Sequence, residues 1–210
     1  WFKDFTAFHK VLAQNLADSK MLVEKDETFL YDKKDERYIN GCWAKGICPN
    51  CKKQTGSYLC ENCGTHYRPQ DIINLKDYPD AEIVEGKSVY LKLDTQKIFE
   101  HLDKMRIEPF KKILERYIEL QGPFVRLTTP QKTGVNWSWN NISNQVLYTY
   151  TSLLFFSIYC GRIFQCQHHL KPNPFDVDSD FITIASFGID NAIPYLGGVL
   201  GGGIALANYK

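Results

Sequence analysis

The chain has 210 residues, enough for one ordinary domain with a sizeable core or for two small ones, and too few for a large multidomain assembly. With 44% hydrophobic, 23% charged and 14% aromatic residues, its composition is that of a globular chain and excludes disordered, collagen-like and coiled-coil classes. Lys and Arg number 25 against 24 Asp and Glu, a formal charge of +1, so no global field draws the chain to DNA or to an anionic membrane, and a nucleic-acid contact would need a local patch.

The first residues, Trp1-Phe2-Lys3-Asp4-Phe5, carry no basic-then-apolar signal pattern and read like the inside of a helix, so the chain is expected to start mid-domain. Phe5, Phe8, Val11, Leu12 and Leu16 recur at helical spacing and predict an amphipathic helix to about Met21. Residues 28–31 read as a short strand before the charged turn 32–36. Residues 41–69 are rich in Gly, Pro and Asn, with too few apolar side chains to order themselves by burial alone. Residues 88–93 alternate as a strand, and Asp94-Thr95 caps a long helix with the stripe Ile98, Phe99, Leu102 and Met105, resuming at Ile113, Leu114, Tyr117 and Ile118. Pro109 should break that helix in two.

Gly122, Pro123, Pro130 and Gly134 mark a loop region where the composition changes. Beyond it, residues 145–151 and 181–186 are rich in β-branched and aromatic residues and read as buried strands. The polar stretch 165–179 between them, with Pro172 and Pro174, reads as an exposed connection. The longest apolar runs, 152–159 and 197–207, fall short of the roughly 20 residues of a bilayer span, and the second holds five glycines. No membrane segment is expected.

Seven cysteines carry the chemistry. Cys48-Pro49-Asn50-Cys51 and Cys60-Glu61-Asn62-Cys63 are two C-x-x-C pairs with eight residues between, while Cys42, Cys160 and Cys166 stand apart. An odd total with short paired spacing fits metal ligation in a reducing cytoplasm better than a secreted disulfide framework. Each pair brings two thiolates to one ion at about 2.3 Å, and four such ligands close a tetrahedral Zn²⁺ with no position left for water, so the metal is expected to be structural. His66 or Cys42 could replace one ligand, and free or redox-active thiols are the other reading. Lys45, Lys52 and Lys53 would offset the negative charge of four thiolates.

The stretch Gly46-Ile47-Cys48-Pro49-Asn50-Cys51, followed by Tyr58-Leu59-Cys60-Glu61-Asn62-Cys63-Gly64-Thr65-His66-Tyr67-Arg68-Pro69-Gln70-Asp71-Ile72-Ile73-Asn74, resembles the zinc-knuckle insertion of methionyl-tRNA synthetases, which are class I synthetases. The likeness reaches upstream to Phe29-Leu30-Tyr31 and downstream through residues 88–94, and Gly188-Ile189-Asp190-Asn191 looks like the family's Gly-Lys-Asp-Asn/Ile segment. The resemblance implies an α/β fold, part of a Rossmann-like nucleotide-binding domain carrying a zinc-knuckle connective insertion. It divides the chain into residues 1–40 (helical part of the catalytic or connective region), 41–93 (knuckle insertion), 94–121 (connective helices) and 122–210 (second half of the nucleotide-binding domain). It implies ATP-dependent adenylation of an amino acid with Mg²⁺, followed by acyl transfer.

The family's His-Ile-Gly-His-type and Lys-Met-Ser-Lys-Ser-type segments occur nowhere in the 210 residues. The expectation is therefore a middle portion that works with the remaining segments of a synthetase-like protein and does not activate an amino acid alone. Where the family has an aromatic-X-Asp-Ala-Pro strand end, this chain has Tyr148-Thr149-Tyr150-Thr151-Ser152-Leu153, and Tyr195 stands where the family has a pocket histidine. By this resemblance Tyr150, Asp190 and Tyr195 are the candidate substrate-binding residues, in a rebuilt pocket. The acceptor is then either tRNA or a small molecule, as in synthetase-like proteins fused to cupin domains in hydrazine-forming pathways. A noncatalytic knuckle module contacting RNA or protein is the competing class.

Several features carry bland alternatives beside the functional ones. Asp190 is equally an N-cap. The glycine run 197–203 lacks the Lys-Ser/Thr of a phosphate loop and reads as close helix packing or a mobile end. His168-His169 with Cys166 reads as a solvated loop, and Lys111, Lys112 and Arg116 among Glu108, Glu115 and Glu119 as a salt-bridged surface. Trp137 and Trp139 face a pocket or anchor a loop. The glycosylation patterns at Asn136 and Asn141 have no role in a cytosolic protein.

Overall fold

The computed structural model describes residues 2–39, 44–56, 60, 62–63, 65, 67–106, 108–168 and 193–207, without the side chains of residues 2, 3, 149, 150 and 194. The predicted first helix forms as α1 (Phe2–Asp18). It buries Leu12, Ala13 and Leu16 and ends where Lys20 takes a left-handed φ of 61°.

The short strand expected at 28–31 is an eleven-residue one, β1 (Leu22–Asp32). It turns through residues 33–36 into β2 (Arg37–Ile39) and pairs antiparallel with β5 (Glu82–Lys92) from Leu22↔Leu91 to Tyr31↔Glu82. The charges that disguise it are cross-strand partners: Lys87 lies 3.7 Å from Glu24 and 3.6 Å from Asp26. Such facing opposite charges suit a half-exposed antiparallel pair. With β6 (Phe124–Arg126) the sheet runs β2-β1-β5-β6. A two-stranded hairpin, β3 (Lys45–Ile47) and β4 (Gln54–Gly56), is inserted between β2 and β5. A third sheet, β7 (Thr128–Pro130), β9 (Ile142–Leu147) and β8 (Asn136–Trp139), has the order β7-β9-β8. It joins the first where the Val89 amide donates to the Thr128 hydroxyl at 2.9 Å and the Leu127 amide to the Val89 carbonyl at 2.9 Å.

Helix α2 (Thr95–Met105) starts as predicted, the Asp94 carboxylate accepting from the Lys97 amide at 3.1 Å. The break falls at Arg106, whose φ of 55° is left-handed. Pro109 then sits in the first turn of α3 (Glu108–Gln121), where its missing N–H costs no helical hydrogen bond. The strand expected to run to Thr151 ends at Leu147, and α4 (Thr149–His168) follows at once. The Tyr148 carbonyl accepts from both the amide (3.3 Å) and the hydroxyl (2.7 Å) of Ser152 there, closing a first helical turn. A π-helical segment (Pro194–Gly201) continues into α5 (Gly202–Ala207).

Leu16, Leu91, Ile98, Leu102, Leu114, Leu127, Phe155 and Leu196 form the centre of the main core. The glycine run serves close packing: a Cβ on Gly197 would stand 2.8 Å from Val125 and one on Gly201 would stand 2.6 Å from Leu93. Trp137 is buried in the same core. The architecture is thus mixed α and β, and every strand pair among the described residues is antiparallel. The parallel sheet expected within 122–210 is therefore not found among them; residues 124–147 hairpin back on themselves, with Asn140 (φ 51°) at the β8–β9 turn. The strand expected at 181–186 lies outside the described residues, as does all of the expected connection 165–179 beyond His168. Among the described residues no helix is long and apolar enough to cross a membrane.

Candidate metal centre

The first C-x-x-C pair follows β3 in a tight turn. The Cys48 amide donates to the Lys53 carbonyl at 2.8 Å and the Lys52 amide to the Cys48 carbonyl at 3.2 Å, with Lys52 left-handed at φ 61°. Cys60 begins the second turn, its amide donating to the Thr65 carbonyl at 3.0 Å. Each turn curls its backbone N–H groups toward sulfur; the Asn50 amide, for example, lies 3.4 Å from Cys48 Sγ.

The two turns face each other, and the Sγ atoms of Cys48, Cys51, Cys60 and Cys63 all lie within 4.8 Å of one another. Cys48 to Cys63 is 3.8 Å and Cys51 to Cys60 is 3.6 Å. A tetrahedron of sulfurs about 2.3 Å from its centre has edges of about 3.8 Å, so the spacing fits a four-thiolate metal site closed to water. Asn50 braces the far corner, its side-chain amide donating to Cys63 Sγ at 3.6 Å and to the Thr65 hydroxyl at 2.9 Å. Cys48 and Cys60 are buried, Cys51 is half-buried and Cys63 is exposed.

Without a cation, four neighbouring thiols cannot all ionise, and charge settles unevenly. The Thr65 hydroxyl and amide hold Cys63 down to about 6. The Lys53 amide acts downward on Cys51, but burial and the three other thiols outweigh it and push that group up to about 11. Burial acts upward on Cys60, and the Asn62 and Cys63 amides with the adjacent thiols bring it below its usual value. A bound dication removes this conflict by favouring the thiolate at all four positions. Lys52, expected near the sulfurs, donates its ammonium to the Pro49 carbonyl at 2.7 Å, and Lys45 and Lys53 are exposed.

The centre is tied to the body of the protein. Ile47 and Ile73 exchange backbone hydrogen bonds of 2.8 and 3.0 Å. Gly46 permits that approach, since a Cβ there would stand 2.4 Å from Ile72 Cγ2 and 2.7 Å from the Ile73 carbonyl. Leu30, Ile39, Ala44, Tyr67 and Ile72 bury themselves around Cys48 and Cys60, a small second core that the sequence reading of 41–69 missed. Gln70, in the 3-10 turn Pro69–Asp71, donates to the Thr28 carbonyl at 2.9 Å and so fastens the insertion to β1.

Among the described residues no second site gathers the other candidates. Asp190 lies outside the described residues, as do Cys42, His66, His169 and the Gly188-Ile189-Asp190-Asn191 segment. Tyr150 lies in the first turn of α4, and Tyr195 packs edge-on against Phe110 at 6.3 Å between ring centroids. Cys166 and His168 are exposed at the end of α4. Lys111 pairs with Asp103 and Arg116 with Glu119, the salt-bridged surface expected. Sequence reasoning missed an ionic cluster under the main sheet. Arg126 forks onto Glu27, whose carboxylate also accepts from the Tyr90 hydroxyl at 2.9 Å. Burial is the chief cause of the upward shift of that hydroxyl's ionisation. Only the alternation of β1 hinted at it.

Residues 3–150 match the family model for tRNA synthetases class I (M). The methionine–tRNA ligase of Jannaschia sp. (strain CCS1) is 35% identical over 86 residues, covering 38% of this chain and 15% of the relative. That of Nanoarchaeum equitans (strain Kin4-M) is 31% identical over 107 residues, covering 50% of this chain and 12% of the relative. Among solved structures, the free methionyl-tRNA synthetase of Mycobacterium tuberculosis superposes with a TM-score of 0.54 at 13% identity, over 97% of this chain and 37% of that one. Its complex with methionyl-adenylate gives 0.56 at 12%, over 97% and 36%. The chain thus spans under two fifths of the length of these relatives.

Proposed function

The chain belongs to the family of class I tRNA synthetases (M), and on that premise we propose that it is part of a methionyl-tRNA-synthetase-like ligase that activates an amino acid with ATP and Mg²⁺ and transfers the acyl group to tRNA. The observation that carries the reading is the set of four converging thiols, inserted between β2 and β5 of a chain matched by that family model. Cys48, Cys51, Cys60 and Cys63 hold a structural Zn²⁺, which supplies folding free energy and no open coordination position. The insertion hangs from the β1–β5 pair, α2 and α3 are connective helices, and residues 122–210 contribute to a Rossmann-like nucleotide-binding domain. Tyr150, Asp190 and Tyr195 are its substrate-side residues. A four-thiolate site suits the reducing cytoplasm.

Chemistry of this kind needs donors placed where charge develops on phosphate and acyl oxygens. The 210 residues carry neither of the family's ATP-handling segments. Adenylation is accordingly proposed of the protein in which this chain stands beside them. A second reading, a paralogue with a rebuilt amino-acid pocket that passes the acyl group to a small molecule, is supported by one observation: Tyr148-Thr149-Tyr150-Thr151-Ser152 replaces the family's aromatic-X-Asp-Ala-Pro, and Tyr195 its pocket histidine. The test is amino-acid-dependent exchange of pyrophosphate into ATP by that protein, followed by transfer assays with tRNA. Exchange with one amino acid is expected. No exchange with any amino acid would leave a noncatalytic binding module.

A further inference from the structure

The four corners of the metal centre are unequally sheltered. Cys48 and Cys60 are buried in the small second core, Cys51 is half-buried, and Cys63 alone of the four is exposed. An oxidant must reach the sulfur it attacks, so the susceptibility of a thiolate follows its exposure. Bound Zn²⁺ keeps all four sulfurs as thiolates and turns away bulky thiol reagents. The outward corner stays open to a molecule as small as hydrogen peroxide.

The surroundings of Cys63 Sγ suit an added oxygen. The Asn50 side-chain amide lies 3.6 Å from it and the Thr65 hydroxyl 3.3 Å. That hydroxyl already accepts from the Asn50 amide at 2.9 Å, which leaves its own hydrogen to donate to the sulfur or to an oxygen on it. Cys48 Sγ stands 3.8 Å away on the facing turn, on a residue with no solvent exposure. An oxidised Cys63 therefore has a sheltered thiolate at contact distance. The side chains packed around Cys48 and Cys60 form a core separate from the main one, so loss of the centre leaves the main sheet its own support.

We propose that Cys63 is an oxidation site that makes the insertion a reversible peroxide-sensitive switch, an inference that rests on the zinc assignment above. The Cys63 thiolate attacks one peroxide oxygen, the O–O bond breaks, and hydroxide leaves with its electron pair, giving a sulfenic acid. The Cys48 thiolate then attacks the Cys63 sulfur; an S–S bond forms as the S–O bond breaks, and a second hydroxide departs. The two sulfurs have together given two electrons to the peroxide. Only Cys51 and Cys60 remain as ligands, too few to retain Zn²⁺, and the insertion loses the free energy that orders it. A dithiol reduces the bridge and returns all four thiols.

The test adds hydrogen peroxide to the zinc-loaded 210-residue chain and follows zinc release with a metallochromic dye that leaves the untreated chain loaded, the disulfide being mapped by peptide mass spectrometry. Zinc is read in place of thiol loss because Cys160 and Cys166, exposed on α4, also react. Release of the zinc is expected together with a Cys48–Cys63 bridge, and dithiothreitol with added zinc should restore the bound metal. Cys63→His keeps a four-ligand site of three cysteines and one histidine and should slow release severalfold, whereas Cys51→His should release zinc at the unsubstituted rate. Unslowed release from Cys63→His, a first bridge between any other pair, or metal loss that dithiothreitol does not reverse overturns the proposal. A chain that binds no zinc refutes the metal assignment itself; one that binds zinc and keeps it in peroxide refutes this inference alone.

Discussion

Cys51 Sγ and Cys60 Sγ lie 3.6 Å apart, too far for the roughly 2.05 Å of a disulfide bond and too close for two thiolates without a shared cation. The two residues belong to different turns, so neither turn sets the distance alone. The hairpin β3–β4 fixes the first, the Thr65 carbonyl fixes the second, and the small core around Cys48 and Cys60 holds them together. A bound metal ion would complete what the backbone has already arranged.

Replacing Cys60 with Ser is expected to unfold the insertion while sparing the main sheet. Structural zinc supplies about 10–16 kcal/mol in peptide sites, more than the small core around Ile72 could replace. Native-state hydrogen exchange checks this: the amides of Ile47, Cys48 and Ile73 should lose protection, whereas Val89 and Leu91, paired in β5, should keep it. Retained protection at Ile47 and Ile73 would remove the metal from the account of folding.

Gly46→Ala is expected to destabilise the chain by about 1–3 kcal/mol, the usual cost of forcing atoms into a filled space. Two of the three atoms its Cβ would meet are backbone carbonyl oxygens of Ile73 and Asn74, which cannot swing away. Gly203→Ala, in α5 with nothing within 4 Å of the new carbon, should be neutral or stabilising by up to about 1 kcal/mol. Thermal unfolding of the two variants separates them.

Glu27→Ala is expected to cost about 3 kcal/mol, because it strands the Arg126 guanidinium in a largely buried position. Its ring contact with Tyr90 at 5.0 Å and the Ser88 hydroxyl at 3.2 Å offset only part of that loss. The double variant Glu27→Leu with Arg126→Met should recover most of it, since packed apolar residues replace the pair without leaving a charge. Denaturant titration of the single and double variants measures the coupling; additive losses would contradict it.

His9 gives stability a pH dependence near neutrality. Its Nδ1 donates to the Phe5 carbonyl at 2.9 Å, so the buried Nε2 is the bare acceptor, and it has no partner among the described residues. Phe5, Phe8, Phe155 and Tyr159 surround the ring, and burial lowers its affinity for a proton. The unfolded chain therefore binds the proton first as pH falls. This contribution is complete above the unfolded value of about 6.5 and is lost as pH drops through it toward the lower folded value. His9→Phe should flatten the slope of thermal midpoint against pH between 7 and 5, and an unchanged slope would assign it elsewhere.

How much of this was readable in advance follows from how local each feature is. The thiol pairs were legible because both turns are written in contiguous residues, and Asp94 and Pro109 because capping and helix breaking are single-residue effects. The glycine run was legible as packing because it lacks phosphate-loop chemistry. The full length of β1 was hidden by Glu24, Asp26 and Glu27, whose partners Lys87 and Arg126 are remote in sequence. Helix α4 was hidden because residues 152–159 are apolar on all sides, and only length separates a buried helix from a strand there. The stacking of Lys25 on Tyr90 and Phe124 was unreadable, since those residues are remote in sequence and meet only across the sheet.

The central claim is that Cys48, Cys51, Cys60 and Cys63 share one metal ion. Elemental analysis of the purified chain together with titration of its accessible thiols tests it most directly. The account predicts one zinc per chain, with those four sulfurs shielded from a thiol reagent until a chelator is added, and loss of the zinc in Cys48→Ser. A metal-free, folded chain with all four thiols reactive would contradict it.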